Sequence, residues 1–375
     1  MEVGVMKKII FSGILIGILS VLPAHAGEKL TFISSAENVP RIFIYDPAGA
    51  VMDSITDYSN TGVAGYDITP DGRLMVTAMI NPVSEDYLGL RLVTREYPYI
   101  RERIVMTYAA PGWDALRNKY KLAIDPTGQY AVCVDTLGTL LVDLQKEEIR
   151  YIFTHKAKPN NGVCEAYQNW GGEFSPDGGK VCVRSYCIAN RQRYDIYDLK
   201  TREYRNVYEL SNLTGFSWLP QSDGLLLSAN SCGESAGLYV VDLADSEPLI
   251  NLEVCNLASA TCNQYFKEFY SEFALPQVLD ENRLMVHARG VKVSGKVLDD
   301  VFIIDQETQV ITEVVCGDFI ELKMSPSERY LVGVLNTNPN ATEGKLYIYD
   351  FGTKLGGYIR EGDMTCSQID WIDIK

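Results

Sequence analysis

The sequence predicts an all-β protein assembled from repeated four-stranded units. Three observations predict it: a tight-turn signature that recurs along the chain, an apolar strand ending in Asp that follows each turn, and chain ends that each supply only part of a unit. The closing Asp residues recur with a period of about 50, near the range of propeller blades with four strands each. The 23 Tyr residues and recurrent Asp-Gly pairs agree with a strand-and-turn protein.

The turn signature reads Ile68-Thr69-Pro70-Asp71-Gly72, Ile124-Asp125-Pro126-Thr127-Gly128, Phe174-Ser175-Pro176-Asp177-Gly178 and Met324-Ser325-Pro326-Ser327-Glu328, with looser copies at Leu219 to Gly224 and Leu279 to Asn282. Short apolar runs follow, such as Leu74 to Val76, Tyr130 to Val134 and Tyr330 to Val334, which is the pattern of strand, tight turn, strand. The second signature comes next in each unit: Ile42 to Asp46, Thr139 to Asp143, Asp195 to Asp198, Tyr239 to Asp242, Val301 to Asp305 and Tyr347 to Asp350, with a weaker copy at Leu90 to Thr94. A few turn residues and a further strand complete most units.

At the N-terminal end, Leu30 to Ser34, Arg41 to Asp46 and Val51 to Ile55 read as second, third and fourth strands without a first. At the other end, Gln368 to Ile374 reads as a first strand without a successor. Joined, they make one blade from both ends of the chain, which closes a ring and leaves no free sheet edge. With units near 66–105, 120–153, 172–209, 215–252, 274–314 and 321–359, the expected fold is a seven-bladed β-propeller occupying residues 27–375 as a single domain. A tandem of separate domains is disfavoured, because one unit is too small to bury a core alone.

At these residues the chain resembles the TolB-like family of exported, WD-repeat-like propellers, whose repeat carries a Ser-Pro-Asp-Gly turn followed by a Leu-Tyr-Val-Tyr-Asp-Leu strand. Phe174 to Gly178 with Tyr194 to Leu199, and Leu346 to Phe351, are the best copies. The resemblance implies the propeller fold and export. Such repeats also serve lyases, lactonases and peptidase domains, so it leaves the function open.

Export is also readable directly. Lys7 and Lys8 precede an apolar run from Ile9 to Leu22, then Pro23 and the small-residue site Ala24-His25-Ala26, in the order of a secretory signal peptide over residues 1–26. The run is shorter than the roughly 20 residues that span a bilayer. A mature chain starting at Gly27 is expected in the periplasm or secreted, without a membrane-spanning segment. The formal charge of −15 excludes a nucleic-acid binder, since phosphate affinity comes from clustered Lys and Arg. Export makes disulfides available to the nine cysteines, an odd number that leaves at least one unpaired. Cys255 with Cys262 is the first candidate pair, and Cys182 with Cys187, or Cys164 with Cys187, the weaker one.

Catalytic motifs fail on context. Gly233-Glu234-Ser235-Ala236-Gly237 matches G-x-S-x-G, but a strand follows where a nucleophile elbow needs a helix. Gly290 to Lys296 matches the first seven positions of a P-loop, but Val297 replaces the Ser or Thr that holds magnesium. His155 and His287 are the only histidines of the mature chain, which rules out a three-His metal centre and suits satisfied surface or loop residues. No metal or cofactor is expected, with a carboxylate calcium site the one option left open.

Irregular sequence concentrates on the propeller face opposite the tight turns: Thr107 to Lys119, His155 to Gly172, Arg184 to Arg193, Ser228 to Gly237 and Glu253 to Phe273. These stretches are expected as long loops, which in compact folds tend to carry function. Trp113, Tyr167, Trp170, Tyr186, Tyr265 and Tyr270 fall in them and are the candidate binding residues, aromatic anchors for an envelope or extracellular protein or glycan. The expected function is a non-catalytic binding module using the long-loop face. The alternative is an extracytoplasmic lyase or lactonase acting on a glycan or lactone.

Overall fold

The computed structural model describes residues 27–34, 40–55, 62–84, 87–99, 101–109, 122–134, 138–154, 167–187, 191–211, 213–229, 237–244, 250–252, 270–291, 297–308, 310–336, 344–359 and 366–373. Among them are strands and no helix. β1 (Glu28–Ser34), β2 (Arg41–Asp46) and β3 (Val51–Ser54) come first. β4 (Gly62–Ile68), β5 (Leu74–Ser84), β6 (Tyr87–Glu96) and β7 (Glu102–Ala109) follow as an antiparallel meander. The pattern repeats in β8 (Ala123–Ile124), β9 (Tyr130–Val134), β10 (Gly138–Asp143) and β11 (Glu148–Thr154), and again in β12 (Tyr167–Phe174), β13 (Lys180–Cys187), β14 (Arg191–Asp198) and β15 (Tyr204–Ser211). Two further meanders are β16 (Leu213–Trp218), β17 (Gly224–Ala229), β18 (Gly237–Asp242), β19 (Ile250–Leu252), then β20 (Tyr270–Val278), β21 (Arg283–Val291), β22 (Val297–Asp305), β23 (Val310–Cys316). The last strands are β24 (Phe319–Met324), β25 (Tyr330–Asn336), β26 (Gly344–Asp350), β27 (Leu355–Tyr358) and β28 (Cys366–Asp373).

The eight strands outside the five meanders belong to one sheet, in which β28 joins β1. Their antiparallel register runs from Glu28 opposite Asp373 to Ser34 opposite Cys366, with a bulge after Phe32. By contrast, β28 meets β26 through the single pair Gly344 and Cys366.

The two sequence signatures have separate physical causes. In the tight turns, the backbone N–H of Gly72 donates to Thr69 O at 2.7 Å and that of Gly178 to Ser175 O at 2.8 Å. Both glycines have φ near +70°, where a Cβ is strained. The divergent copies hold the same conformation without glycine, at Ser222 and Glu328. Asp71 and Asp177 fix their turns by accepting from Thr69 Oγ1 at 2.7 Å and Ser175 Oγ at 2.6 Å. The closing Asp caps the next turn: Asp198 Oδ1 accepts from the N–H groups of Lys200 and Thr201, both at 2.8 Å, and Asp46 and Asp350 repeat the arrangement.

Apolar residues of neighbouring sheets interlock. Val132, Leu141 and Ile152 meet Val181, Val183 and Tyr197, while Ile33, Ile42 and Ile372 meet Val63, Tyr66 and Met75. Burying one such Val, Leu or Ile side chain contributes about 1.5–3 kcal/mol before conformational entropy is subtracted. The sheets therefore depend on one another.

Three stretches expected as loops are strand in part. β12 begins at Tyr167, within the expected loop from His155 to Gly172, and β20 begins at Tyr270, within the one from Glu253 to Phe273. β13 and β14 likewise run into the expected loop from Arg184 to Arg193. The Cys182–Cys187 bridge is corrected. Both residues lie in β13, five positions apart, which holds their backbones about 16 Å from each other, beyond the reach of a disulfide. Cys182 is a free thiol, fully buried against Tyr194 and Leu227. Cys164, Cys255, Cys262, residues 1–26, where the signal peptide is expected, and the side chain of Cys187 lie outside the described residues.

Candidate functional site

The first strands of successive sheets stand side by side and are stitched by side chains. Asp67 Oδ2 on β4 accepts from Ile124 N–H on β8 at 2.7 Å. Ser217 Oγ on β16 accepts from Val278 on β20 at 3.3 Å, Gln277 on β20 from Met324 on β24 at 3.1 Å, Glu321 on β24 from Ile369 on β28 at 3.2 Å, and Gln368 on β28 from Tyr66 on β4 at 3.1 Å. Polar residues at these positions satisfy strand N–H groups that no ladder reaches.

Within this array Lys323 Nζ lies 2.9 Å from Asp370 Oδ1, with Asp67 and Glu321 close by. Burial raises Asp67 well above the usual carboxylate range, and the nearby charge of Asp370 adds to the effect against the opposing pull of Lys323. Burial alone would lower Lys323, but Asp370, Glu321 and Asp67 overcome it and raise its pKa. A cavity of about 380 Å³ opens beside the Lys323–Asp370 pair, lined by Gln277, Lys323, Glu328, Asp370 and Trp371 among others. Its Pro70, Leu279 and Pro326 come from the tight turns, which places it at that end of the strands.

The other end carries a second polar group, at the seam between β20–β23 and β24–β27. β21 runs away from the tight turn at Asn282, so His287 and Arg289, two positions apart, share one face near its far end. Asp299 faces Arg289 across the ladder, and Asp318 lies in the link from β23 to β24. The Arg289 guanidinium holds both acids, with Nε 2.6 Å from Asp299 Oδ1 and Nη2 in contact with Asp318 Oδ1. Asn336 Nδ2 donates to Asp318 Oδ2 at 2.9 Å. His287 is 4% exposed, stands edge-on to Phe319, and has an Nε2 without a hydrogen-bond partner, 3.9 Å from Asp299 Oδ1. Burial lowers its pKa below the ordinary value. The expectation of a satisfied surface or loop histidine is corrected: a strand carries it into the seam.

On the opposite face of the same sheet, Asp300, Glu313 and Cys316 cluster. The Cys316 thiol is pushed up to about 12, first by its hydrogen bond with Asp300 and then by burial, which leaves it a poor nucleophile. Tyr270 belongs to this group. Its hydroxyl donates to Asp300 Oδ2 at 2.6 Å, and it is 4% exposed against Phe302. The expectation of Tyr270 as an exposed anchor is therefore corrected, because a buried partner captures its polar tip. Tyr167 and Tyr186 occupy adjoining positions of the β12–β13 ladder and Trp170 follows on β12, but their side chains lie outside the described residues. Trp113 and Tyr265 lie outside them entirely. The strand that follows Gly233 to Gly237 is β18, and the one that follows Gly290 to Lys296 is β22, so neither motif has its helix.

No family model and no curated protein matches the chain. Solved structures do. An oligogalacturonate lyase in complex with manganese shares 12% identity at a TM-score of 0.58, over 90% of this chain and 86% of that one. The fold is of the β-propeller type. A proposed 6-phosphogluconolactonase from Bacteroides uniformis shares 10% identity at a TM-score of 0.54, over 92% of this chain and 100% of that one. TolB from Acinetobacter baumannii shares 14% identity over 93% of this chain and 83% of that one, at a TM-score of 0.49. At these identities the likeness concerns the fold alone.

Proposed function

We propose that residues 27–375 form an exported seven-bladed propeller that binds an envelope or extracellular protein or glycan through its long-loop face, after removal of residues 1–26. The eight-stranded sheet then comprises two blades, β24–β27 and β28 with β1–β3, and the β28–β1 ladder is the closure of the ring. Export is supported by the charged, apolar and small-residue order before Gly27.

The observation that carries the binding reading is the seam of His287, Arg289, Asp299 and Asp318. It is charged and partly open at the long-loop edge, whereas Asp71, Asp177 and their equivalents at the other edge are engaged in holding turns. The test is capture of partners from native envelope and medium fractions by the immobilised mature protein. Joint replacement of Tyr167 and Trp170 should weaken capture, and charge reversal of Arg73 and Glu281 in the tight turns should not. Loss with the turn variant and retention with the aromatic one would reverse the face assignment.

One observation favours a second reading, an enzyme acting on a glycan or lactone. The cavity is lined by Lys323 and Asp370, near an acid, Asp67, whose pKa burial raises, a combination suited to proton transfer. Turnover of oligogalacturonides or lactones by the purified protein, abolished by Lys323→Met, would establish this reading in place of the first.

A further inference from the structure

We propose that His287, Asp299 and Asp318 form a binding site for one divalent transition-metal ion at the long-loop end of the seam. The candidate ligand atoms lie within 4.8 Å of one another. Ligands of one such ion sit about 2.0–2.2 Å from it, hence roughly 3–4 Å apart, so closing on an ion needs only small rotations of the two Asp side chains.

The histidine is prepared for the task. Its ring is hydrogen-bonded to the backbone of Gly317, and since Nε2 has no partner, Nδ1 makes that bond. A metal-binding histidine is commonly oriented in this way, with one ring nitrogen donating to a carbonyl and the other presenting a lone pair. An acceptor buried with nothing to accept from costs free energy, and a cation at this point removes that cost.

The backbone fixes the other two ligands relative to the first. Gly317 N–H donates to Asp299 O at 2.7 Å, and Asn336 N–H donates to Asp318 O at 2.7 Å. Gly317 thus joins the strand bearing Asp299 to the ring of His287, and Asp318 is the next residue along. A side chain there would collide with Leu335, since a Cβ built on Gly317 lies 2.6 Å from Leu335 Cδ1. The surrounding charge also favours a cation. Asp299, Asp318 and Glu272 gather round one guanidinium, that of Arg289. Arg289 holds one oxygen of each Asp and keeps both carboxylates in place as an ion arrives. A mixed imidazole and carboxylate set suits zinc, manganese or ferrous iron over calcium or magnesium. With three protein ligands, at least one coordination position stays open to water or to a ligand's oxygen.

The inference deepens the binding reading, since the open position would face whatever docks at that edge. Its test needs no partner. The mature protein, stripped with chelator, is titrated with Zn²⁺, Mn²⁺ and Ca²⁺ by calorimetry, and its Co²⁺ form is examined by visible absorption. One equivalent of Zn²⁺ should bind more tightly than Ca²⁺, and the Co²⁺ spectrum should show nitrogen ligation. His287→Ala and Asp299→Asn should each weaken Zn²⁺ binding by at least about tenfold, while Asp300→Asn in the neighbouring cluster should not. Absence of stoichiometric binding to the wild-type protein would overturn the site. So would unchanged affinity in both ligand variants, which would mean adventitious surface binding. If a variant fails to fold, the wild-type Co²⁺ spectrum decides. Partner capture by a protein that binds no metal would overturn this inference and leave the binding reading standing, whereas metal binding without any partner capture would do the reverse.

Discussion

Glu28 holds Ser327 from 299 residues away. Its carboxylate accepts from the Ser327 N–H at 2.6 Å and from the hydroxyl at 2.7 Å, and Glu28 is itself buried at the start of β1. The chain's first described strand thereby clamps the tight turn between β24 and β25, in the adjoining four-stranded group. Replacing Glu28 by Ala leaves a turn N–H without its acceptor and should cost about 1–3 kcal/mol. Chemical denaturation should show a lower midpoint at unchanged slope. An unchanged midpoint would mean that water satisfies Ser327 equally well.

Removal of β28 should do far more. A chain ending before Cys366 loses the β28 partner of every residue of β1 and withdraws Ile369, Trp371 and Ile372 from two cores. The exposed edges are templates for association. The truncated protein should aggregate or melt well below the full chain, and an equally soluble protein with the same melting temperature would contradict the closure of the ring.

Much of this architecture is written in short-range signals. The turn at Ser175 to Gly178 needs a left-handed fourth residue and an Asp that can reach back to Ser175, and both requirements leave visible letters. Closing residues such as Asp198 are legible for the same reason. β12 and β20 were not, because their outer ends, Tyr167 to Gly171 and Tyr270 to Phe273, carry polar residues or glycine where apolar alternation would mark a strand. The seam site shows only its local half in the sequence. His287 and Arg289 at strand spacing could have signalled a shared face, with Asp299 opposite, but the approach of Asp318 depends on how two sheets pack. Similarly, Cys182 and Cys187 are near in sequence, and only the strand between them keeps them apart.

Acid and base stability should report on Asp67. Burial raises its pKa, followed by Asp370, against Lys323 and the N–H groups of Ile124 and Ile68. An acid whose folded pKa lies above its unfolded one stabilises the fold while protonated, and that contribution is lost as pH rises through the folded pKa. Asp67→Asn imitates the protonated form. Its melting temperature relative to wild type should therefore become more favourable from about pH 4 towards pH 8. A difference that stays flat, or that moves the other way, would show that Asp67 is ionised in the fold.

Thiol reactivity separates the cysteines. Cys133, Cys182 and Cys366 are buried, so they should resist alkylation in the native protein and react once it is unfolded. Non-reducing peptide maps of the exported protein should recover Cys255 bridged to Cys262, and both thiols found free would remove that pairing. Intact mass of the same sample should correspond to a chain starting at Gly27.

The pairing of β1 with β28 also sets the order of folding. Thr31 donates to the carbonyl of Asp370, 339 residues further along the chain. Each meander can form from neighbouring sequence, but this ladder must wait until the last strand has been delivered. Contacts of such separation slow the final step, because the entropy of closing a large loop is lost before the ladder repays it. Until then the side of β1 that faces β28 is an unpaired edge, and the nascent chain is most exposed to misassociation there.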